Sequence, residues 1–305
     1  MRPKQILYVL TGGKSHRAAC QLGVSLFALR RVEPDSVVTL SCDRSASELL
    51  ERDFAGVLDN IDLVLQPETF HTSSIESSRE LKILSLQYLS GDFVYLDNDT
   101  LPVMPFYEEL ATSVDQIGLA KDHNHEFPLQ TGVPQQVWDR YEALGWDTKP
   151  RKYFNAGLGF YRDGTLRQQL SSRWFDLWNE SVRRMKIYND QHCLNAAIVE
   201  LDLGVTELPS CFNAMATVHP RHAIGARVYH YFAGNRLSLD GTLFEYLISY
   251  FDEHRAVDWE TLDRAISIEH PWMPPYWPKR FMKAGRPYLA LKHWLINRLP
   301  ARSII

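Results

Sequence analysis

Short runs that are apolar at nearly every position, rather than at alternate ones, constrain this chain most: Ile6-Leu7-Tyr8-Val9-Leu10, Val37-Val38-Thr39-Leu40 and Phe93-Val94-Tyr95-Leu96. A strand of that kind must be covered on both faces, as it is in a sheet flanked by helices. Between the first two runs Leu22, Leu26 and Leu29 recur at helical spacing, so a helix is expected from about Ser15 to Arg30. Strand, helix, strand this early in the chain opens a parallel α/β sheet. Leu63-Val64-Leu65 and Ile117-Gly118-Leu119-Ala120 read as further strands, and the second ends at Lys121-Asp122. Tyr153 to Tyr161 is apolar but broken by Asn155, Ala156, Gly157 and Gly159, which lets a backbone or ligand approach closely. Helices are expected from Ser74 to Leu89, Thr165 to Met185 and Asp190 to Glu200. Ser77 with Glu80, or equally Ser73 with Glu76, has the spacing of a capping box for the first of these.

The residues just past each strand matter for function, because open α/β sheets bind ligands beyond the carboxyl ends of their strands. Thr11-Gly12-Gly13-Lys14-Ser15 is not a phosphate loop, since the position that needs a glycine holds Tyr8 inside the strand. It remains a small-residue loop of the sort a nucleoside lies against. After Leu96 stands Asp97-Asn98-Asp99. Asp and Asn are ordinary turn residues, so an acidic turn is one reading. The other is a pair of carboxylates holding a hard divalent cation that grips a diphosphate.

The 305 residues can bury one large α/β core or two smaller ones. The net charge of −4 is unevenly spread: from His270 onward there are seven Lys or Arg and no Asp or Glu. The body is therefore more acidic than the total, which argues against nucleic acid as the partner. In the tail, Tyr288, Leu291, Leu295 and Leu299 share a helix face among basic residues. That pattern suits an anionic membrane surface, or a helix docked on the body by the same face. Cys20, Cys42, Cys193 and Cys211 have no metal or redox spacing and read as reduced thiols of a cytoplasmic protein. No secretory signal and no run of about 20 apolar residues is expected.

His219 and His222 read as solvated loop histidines, whereas His230 ends a strand-like run and suits Mn²⁺ beside carboxylates. Asp190 is a good helix-start residue, and equally a carboxylate that could aim into a cleft.

Five segments, in order, resemble the retaining nucleotide-sugar transferases of glycosyltransferase family eight, the group with glycogenin and bacterial lipooligosaccharide galactosyltransferases. They are Lys82 to Tyr88 with Phe93 to Leu101; Tyr153-Phe154-Asn155-Ala156-Gly157; Asn189-Asp190-Gln191 with Leu194-Asn195; Leu208-Pro209 with Phe212-Asn213-Ala214-Met215; and His230 to Arg236. The resemblance implies an α/β GT-A type nucleotide-diphospho-sugar transferase fold, with a mixed, mostly parallel sheet flanked by helices. The resemblance spans roughly residues 5 to 240, so a catalytic unit is expected over residues 1–269, and the charge pattern sets 270–305 apart as a basic aromatic extension. Asp97, Asp99 and His230 would ligate Mn²⁺ or Mg²⁺. Thr11, Gly12, Lys82, Asp97, Asn98, Gly234 and Arg236 would bind the nucleotide sugar. Asp190, Gln191, Asn155 and Asp122 would line the donor-sugar and acceptor pocket as catalytic residues. The closing segment departs from the family in placing Gly234 four residues after His230 and Arg236 where lysine is usual.

The expected function is transfer of a hexosyl unit, from a UDP-sugar, to a glycan or lipid-linked saccharide. A sugar-nucleotide nucleotidyltransferase and a non-catalytic carbohydrate- or membrane-binding protein are the alternatives.

Overall fold

A computed structural model of the chain describes residues 3–12, 15–71, 73–122, 133–148, 150–215, 222, 225–231, 242–267, 278–279, 282, 285 and 287–296. Seven strands form the main sheet: β1 (Gln5–Leu10), β2 (Val37–Cys42), β3 (Leu63–Leu65), β4 (Phe93–Leu96), β6 (Ile117–Lys121), β7 (Phe154–Tyr161) and β8 (Val205–Leu208). They lie in the order β3-β2-β1-β4-β7-β6-β8. All neighbours pair in parallel except β7, which is antiparallel to both β4 and β6. Two short strands, β5 (Thr100–Pro102) and β9 (Val228–His230), form a separate antiparallel pair. The expected mixed, mostly parallel sheet is the observed one.

The apolar runs are explained by two cores, one on each face. Ile6, Tyr8 and Leu10 of β1 join Val94 and Leu96 of β4 on one side, with α1 (Ser15–Val32) and α9 (Leu243–His254) above them. Leu7 and Val9 join Phe93 and Tyr95 on the other, under α4 (Ser74–Tyr88), α7 (Thr165–Met185) and α8 (Gln191–Glu200). Successive strand residues point to opposite faces, so burying both demands apolar residues throughout. β3, by contrast, leaves Leu63 and Val64 exposed, as an edge strand can.

Of the two capping boxes the spacing allowed, α4 uses Ser73, whose hydroxyl accepts from the Glu76 N–H at 3.3 Å. Glu80 is fully buried and instead accepts the backbone N–H groups of Phe70 and His71. Trp174 and Trp178 of α7 are buried beneath α8, and their indole N–H groups donate to the carbonyls of Asp190 (2.9 Å) and Tyr188 (3.3 Å). They fix the segment that leads into α8.

The C-terminal helix, α11 (Pro287–Ile296), buries Ala290 but exposes Tyr288, Leu291, Trp294 and Leu295. The face expected to be apolar is thus not docked on the body at the positions described; Leu299 lies outside the described residues. No helix among the described residues is long and apolar enough to cross a membrane. The four cysteines are free thiols. His222 is buried, which corrects the expectation of a solvated side chain, and His219 lies outside the described residues.

Replacing Trp174 with Ala removes a fully buried ring and the hydrogen bond to the Asp190 carbonyl together. The expected loss is about 3–5 kcal/mol of stability, read from urea unfolding.

Candidate active site

One edge of the sheet collects nearly every predicted site residue. β1 ends there at Thr11 and Gly12, β4 at Asp97, β6 at Asp122, and β8 leads through a 3₁₀ turn to Asn213. Because β7 runs the other way, it begins where those strands finish, which delivers Asn155 and Gly157 to the same edge. The Asp97 N–H donates to the Gly157 carbonyl (2.8 Å), and the Asp122 N–H to that of Tyr153 (2.9 Å). Asn98 ties this edge to β1 by donating from Nδ2 to the Val9 carbonyl at 2.8 Å.

The small β5–β9 pair supplies the histidine. Thr100 and His230 are register partners, and the Tyr231 N–H donates to the Asp99 carbonyl at 2.8 Å. His230 Nε2 then lies 3.3 Å from Asp99 Oδ1. One ligand atom each of Asp97, Asp99 and His230 falls within 4.8 Å of the others. The fit of a metal here is supported by Gly157: a Cβ on it would come 2.4 Å from His230 Cε1 and 2.9 Å from Asp97 Oδ2. Glycine keeps open the space beside His230 and Asp97. Two carboxylates and an imidazole are a donor set for Mn²⁺ or Mg²⁺.

Electrostatics favour the charged forms of Asp99 and His230. Burial opposes ionisation of Asp99, but the His230 charge and hydrogen bond, helped by Lys82, hold its pKa below the ordinary value. For His230 burial likewise opposes charge, and Asp99, with Asp97 behind it, outweighs that and raises the pKa.

Cations line the acid cluster. Lys82 is 3% exposed, and its ammonium lies 3.1 and 3.4 Å from the two oxygens of Asp97 and 3.6 Å from Asp190 Oδ2. The Tyr95 hydroxyl donates to Asp97 as well. Sequence reasoning missed Arg79, whose Nε is 3.3 Å from Asp190 Oδ1. The available signal was its place one turn before Lys82 on the same face of α4.

Asp190 is buried beneath those cations, so the helix-start residue also faces the cleft. Its N-cap position makes no side-chain capping bond. Gln191 joins two other predicted residues: Nε2 donates to Asp122 Oδ2 (2.6 Å), and Oε1 accepts from Asn155 Nδ2 (3.0 Å). Asn213, absent from the expected site set although it lies in one of the five segments, connects Asn155 to His230.

Thr11 donates from Oγ1 to the Ser74 carbonyl, and the Gly12 N–H donates to the Asp43 carboxylate. Asp43, the N-cap of α2 (Arg44–Asp53), is a second residue that sequence reasoning missed. A Cβ on Gly12 would sit 1.6 Å from Ser45 Oγ, so the loop admits only glycine there. Gly234 and Arg236 lie outside the described residues. A second group, His16, Cys20 and Asp252, also has ligand atoms within 4.8 Å, but Arg255 already pairs with Asp252 at 2.8 Å.

Solved structures share this architecture. The galactosyltransferase LgtC, solved in complex with donor and acceptor sugar analogs, matches with a TM-score of 0.51 at 19% identity, over 90% of this chain and 99% of its own. The glycosyltransferase GlyE of Streptococcus pneumoniae TIGR4 matches with a TM-score of 0.55 at 13% identity, over 88% of this chain and 66% of GlyE. This chain therefore spans slightly under two thirds of GlyE. No protein-family model and no curated protein matches the sequence. At these identities the likeness establishes the fold, the GT-A fold of glycosyltransferases.

Gly157→Ala is expected to leave the fold intact while weakening Mn²⁺ binding by at least about tenfold in calorimetry, since the added methyl displaces a ligand. Ligation needs a bare imidazole nitrogen, and the raised pKa of His230 means protons compete above its ordinary value of 6.5. Mn²⁺ affinity should therefore fall as pH drops through that raised pKa, with binding several-fold tighter at about pH 8.5 than at about pH 6.

Proposed function

We propose that this protein is a metal-dependent glycosyltransferase. In this reading it moves a hexosyl unit from a UDP-sugar to a hydroxyl of a glycan or lipid-linked saccharide, with retention of anomeric configuration. The observation that carries the reading is the convergence of Asp97, Asp99 and His230, with Gly157 leaving room beside Asp97 and His230, at the carboxyl edge of a GT-A sheet.

Asp97, Asp99 and His230 hold Mn²⁺ or Mg²⁺. When bound, the ion supplies charge stabilisation for the departing nucleoside diphosphate. Thr11 and Gly12, bonded to the Ser74 carbonyl and the Asp43 carboxylate, would lie against the nucleoside, and Asn98 would serve it with Oδ1, which is buried and unbonded. Lys82 and Arg79 place positive charge beside Asp97 and Asp190, where it would serve the donor's phosphate oxygens. Arg236, six residues beyond His230 in sequence, and Gly234 are assigned to the pyrophosphate, whose oxygens suit a guanidinium. Gln191, Asn155 and Asp122 line the donor-sugar pocket as one bonded set.

Retention can follow from attack by a carboxylate, or from a front-face reaction in which the leaving phosphate takes the acceptor's proton. Asp190 is the available carboxylate, yet its oxygens face Arg79 and Lys82. Two cations lower its nucleophilicity, which supports the front-face route. Residues 1–269 form the catalytic unit in this proposal. Residues 270–305 bring it to an anionic cytoplasmic membrane surface, a reading supported by the exposed Tyr288, Leu291, Trp294 and Leu295.

Turnover of a nucleotide-sugar panel tests the central reading. A UDP-sugar should be hydrolysed or transferred with Mn²⁺ and not with EDTA, and Asp97→Asn or Asp99→Asn should reduce kcat/KM by about 100-fold or more. Pyrophosphate release from a nucleoside triphosphate would instead identify a nucleotidyltransferase. For the tail, a Tyr288→Ser/Trp294→Ser double variant should lose sedimentation with anionic liposomes while keeping donor hydrolysis. Undiminished sedimentation would contradict the membrane role.

A further inference from the structure

The hydrogen bonds that begin at Asp122 have a direction, and that direction ends on the ring of His230. A carboxylate only accepts, so Gln191 Nε2, 2.6 Å from Asp122 Oδ2, is the donor end of its amide. Gln191 Oε1 is thereby turned toward two donors, Asn155 Nδ2 at 3.0 Å and the Ala156 N–H at 3.3 Å. Asn155 Oδ1 must then accept, and it does so from the Gly157 N–H at 2.8 Å and Asn213 Nδ2 at 3.0 Å. Asn213 Oδ1 is left facing His230 Nδ1 at 2.8 Å. Two acceptors cannot bond, so Nδ1 carries the proton.

Both Gln191 and Asn155 are held against reversal twice, by a side-chain partner and by a backbone N–H that points at the same oxygen. Turning either amide over would set an NH₂ group against an N–H. Asn155, Asn213 and His230 are all buried, with 3%, 0% and 2% of their surface exposed, which leaves water little room to replace a lost partner.

We propose that Asn213 is a positioning residue: oriented through Asn155 and Gln191 by Asp122, it fixes His230 as the Nδ1–H tautomer, so that Nε2 turns its lone pair toward Asp97 and Asp99. The inference rests on the metal site proposed above. Without Asn213 the neutral ring gains more by placing its proton on Nε2, 3.3 Å from the Asp99 carboxylate, and that tautomer leaves Nε2 no lone pair for a metal. Tautomer choice at the metal edge is thus set from the far end of the donor-sugar pocket.

The direct test is the ¹⁵N spectrum of the metal-free, full-length protein labelled at histidine, recorded at a pH where the His230 ring is neutral. Nδ1 should show the shift of a protonated nitrogen and Nε2 that of a bare one. The reverse assignment, or a mixture, overturns the proposal, and this readout depends on neither metal nor turnover. In Asn213→Leu the proton should move to Nε2, and Mn²⁺ affinity, measured by the paramagnetic resonance of free Mn²⁺, should weaken about 10–100-fold. Asn213→Asp keeps an acceptor for Nδ1–H although it loses the donor to Asn155 Oδ1, so its neutral ring should keep the Nδ1–H tautomer, and a proton on Nε2 there would overturn the proposal. If Asn213→Leu folds and keeps both the Nδ1–H tautomer and wild-type affinity, Asn213 only packs and the proposal fails. Should that variant not fold, the wild-type spectrum and Asn213→Asp decide the matter. A wild-type protein that shows the expected tautomer but binds no Mn²⁺ contradicts the metal site itself, a separate failure.

Discussion

The antiparallel insertion of β7 between β4 and β6 is the constraint on which the rest of the site depends. In a wholly parallel sheet only strand ends would reach the carboxyl edge, and each would contribute one loop. Reversing β7 brings a strand's beginning there instead, so Asn155 and Gly157 enter as ordered β residues rather than as loop residues. The Asp97 N–H to Gly157 carbonyl bond is the point of contact. It aligns the acidic turn with a glycine whose missing Cβ makes room for His230 and Asp97. Any side chain at residue 157 would press on His230 and Asp97, two of the three prospective ligands.

Charge balance explains why so many carboxylates tolerate one another. Asp190 is buried and Asp97 and Asp99 are partly buried, an arrangement of carboxylates that is costly without compensation. Lys82 bridges Asp97 and Asp190, Arg79 faces Asp190, and His230 faces Asp99. The cations sit on the first turns of α4, whose orientation is set by the Ser73 cap and by buried Glu80. The polar chain from Asp122 to His230 contributes no net charge beyond its ends. It supplies direction instead, which a cluster of ions alone cannot do.

Much of this was legible in the sequence, and the rest was hidden for physical reasons. Runs without alternation announced strands buried on both faces, and β1, β2 and β4 lie where Ile6, Val37 and Phe93 placed them. Asp97, Asp99 and His230 could be named as companions only because ordered segments resembled a known family; nothing local brings a residue on β9 to the end of β4. Arg79 was missed because helix-face spacing was applied to apolar residues and not to the cation one turn before Lys82. Asn213 and Asp43 were missed because their roles are hydrogen bonds to backbone and side chains far away in sequence, which leave no periodic trace. The direction of the Gln191–Asn155–Asn213 chain exists only once all its donors and acceptors are in place.

The central claim is that the space facing Gly157 is a metal site formed by residues from β4, its following turn and β9. Anomalous diffraction at the manganese edge, from crystals soaked with Mn²⁺ and UDP, tests it most directly. The account predicts one dominant peak within bonding distance of Asp97, Asp99 and His230 Nε2. A map with no peak there, or with its peak at His16, Cys20 and Asp252, would contradict it.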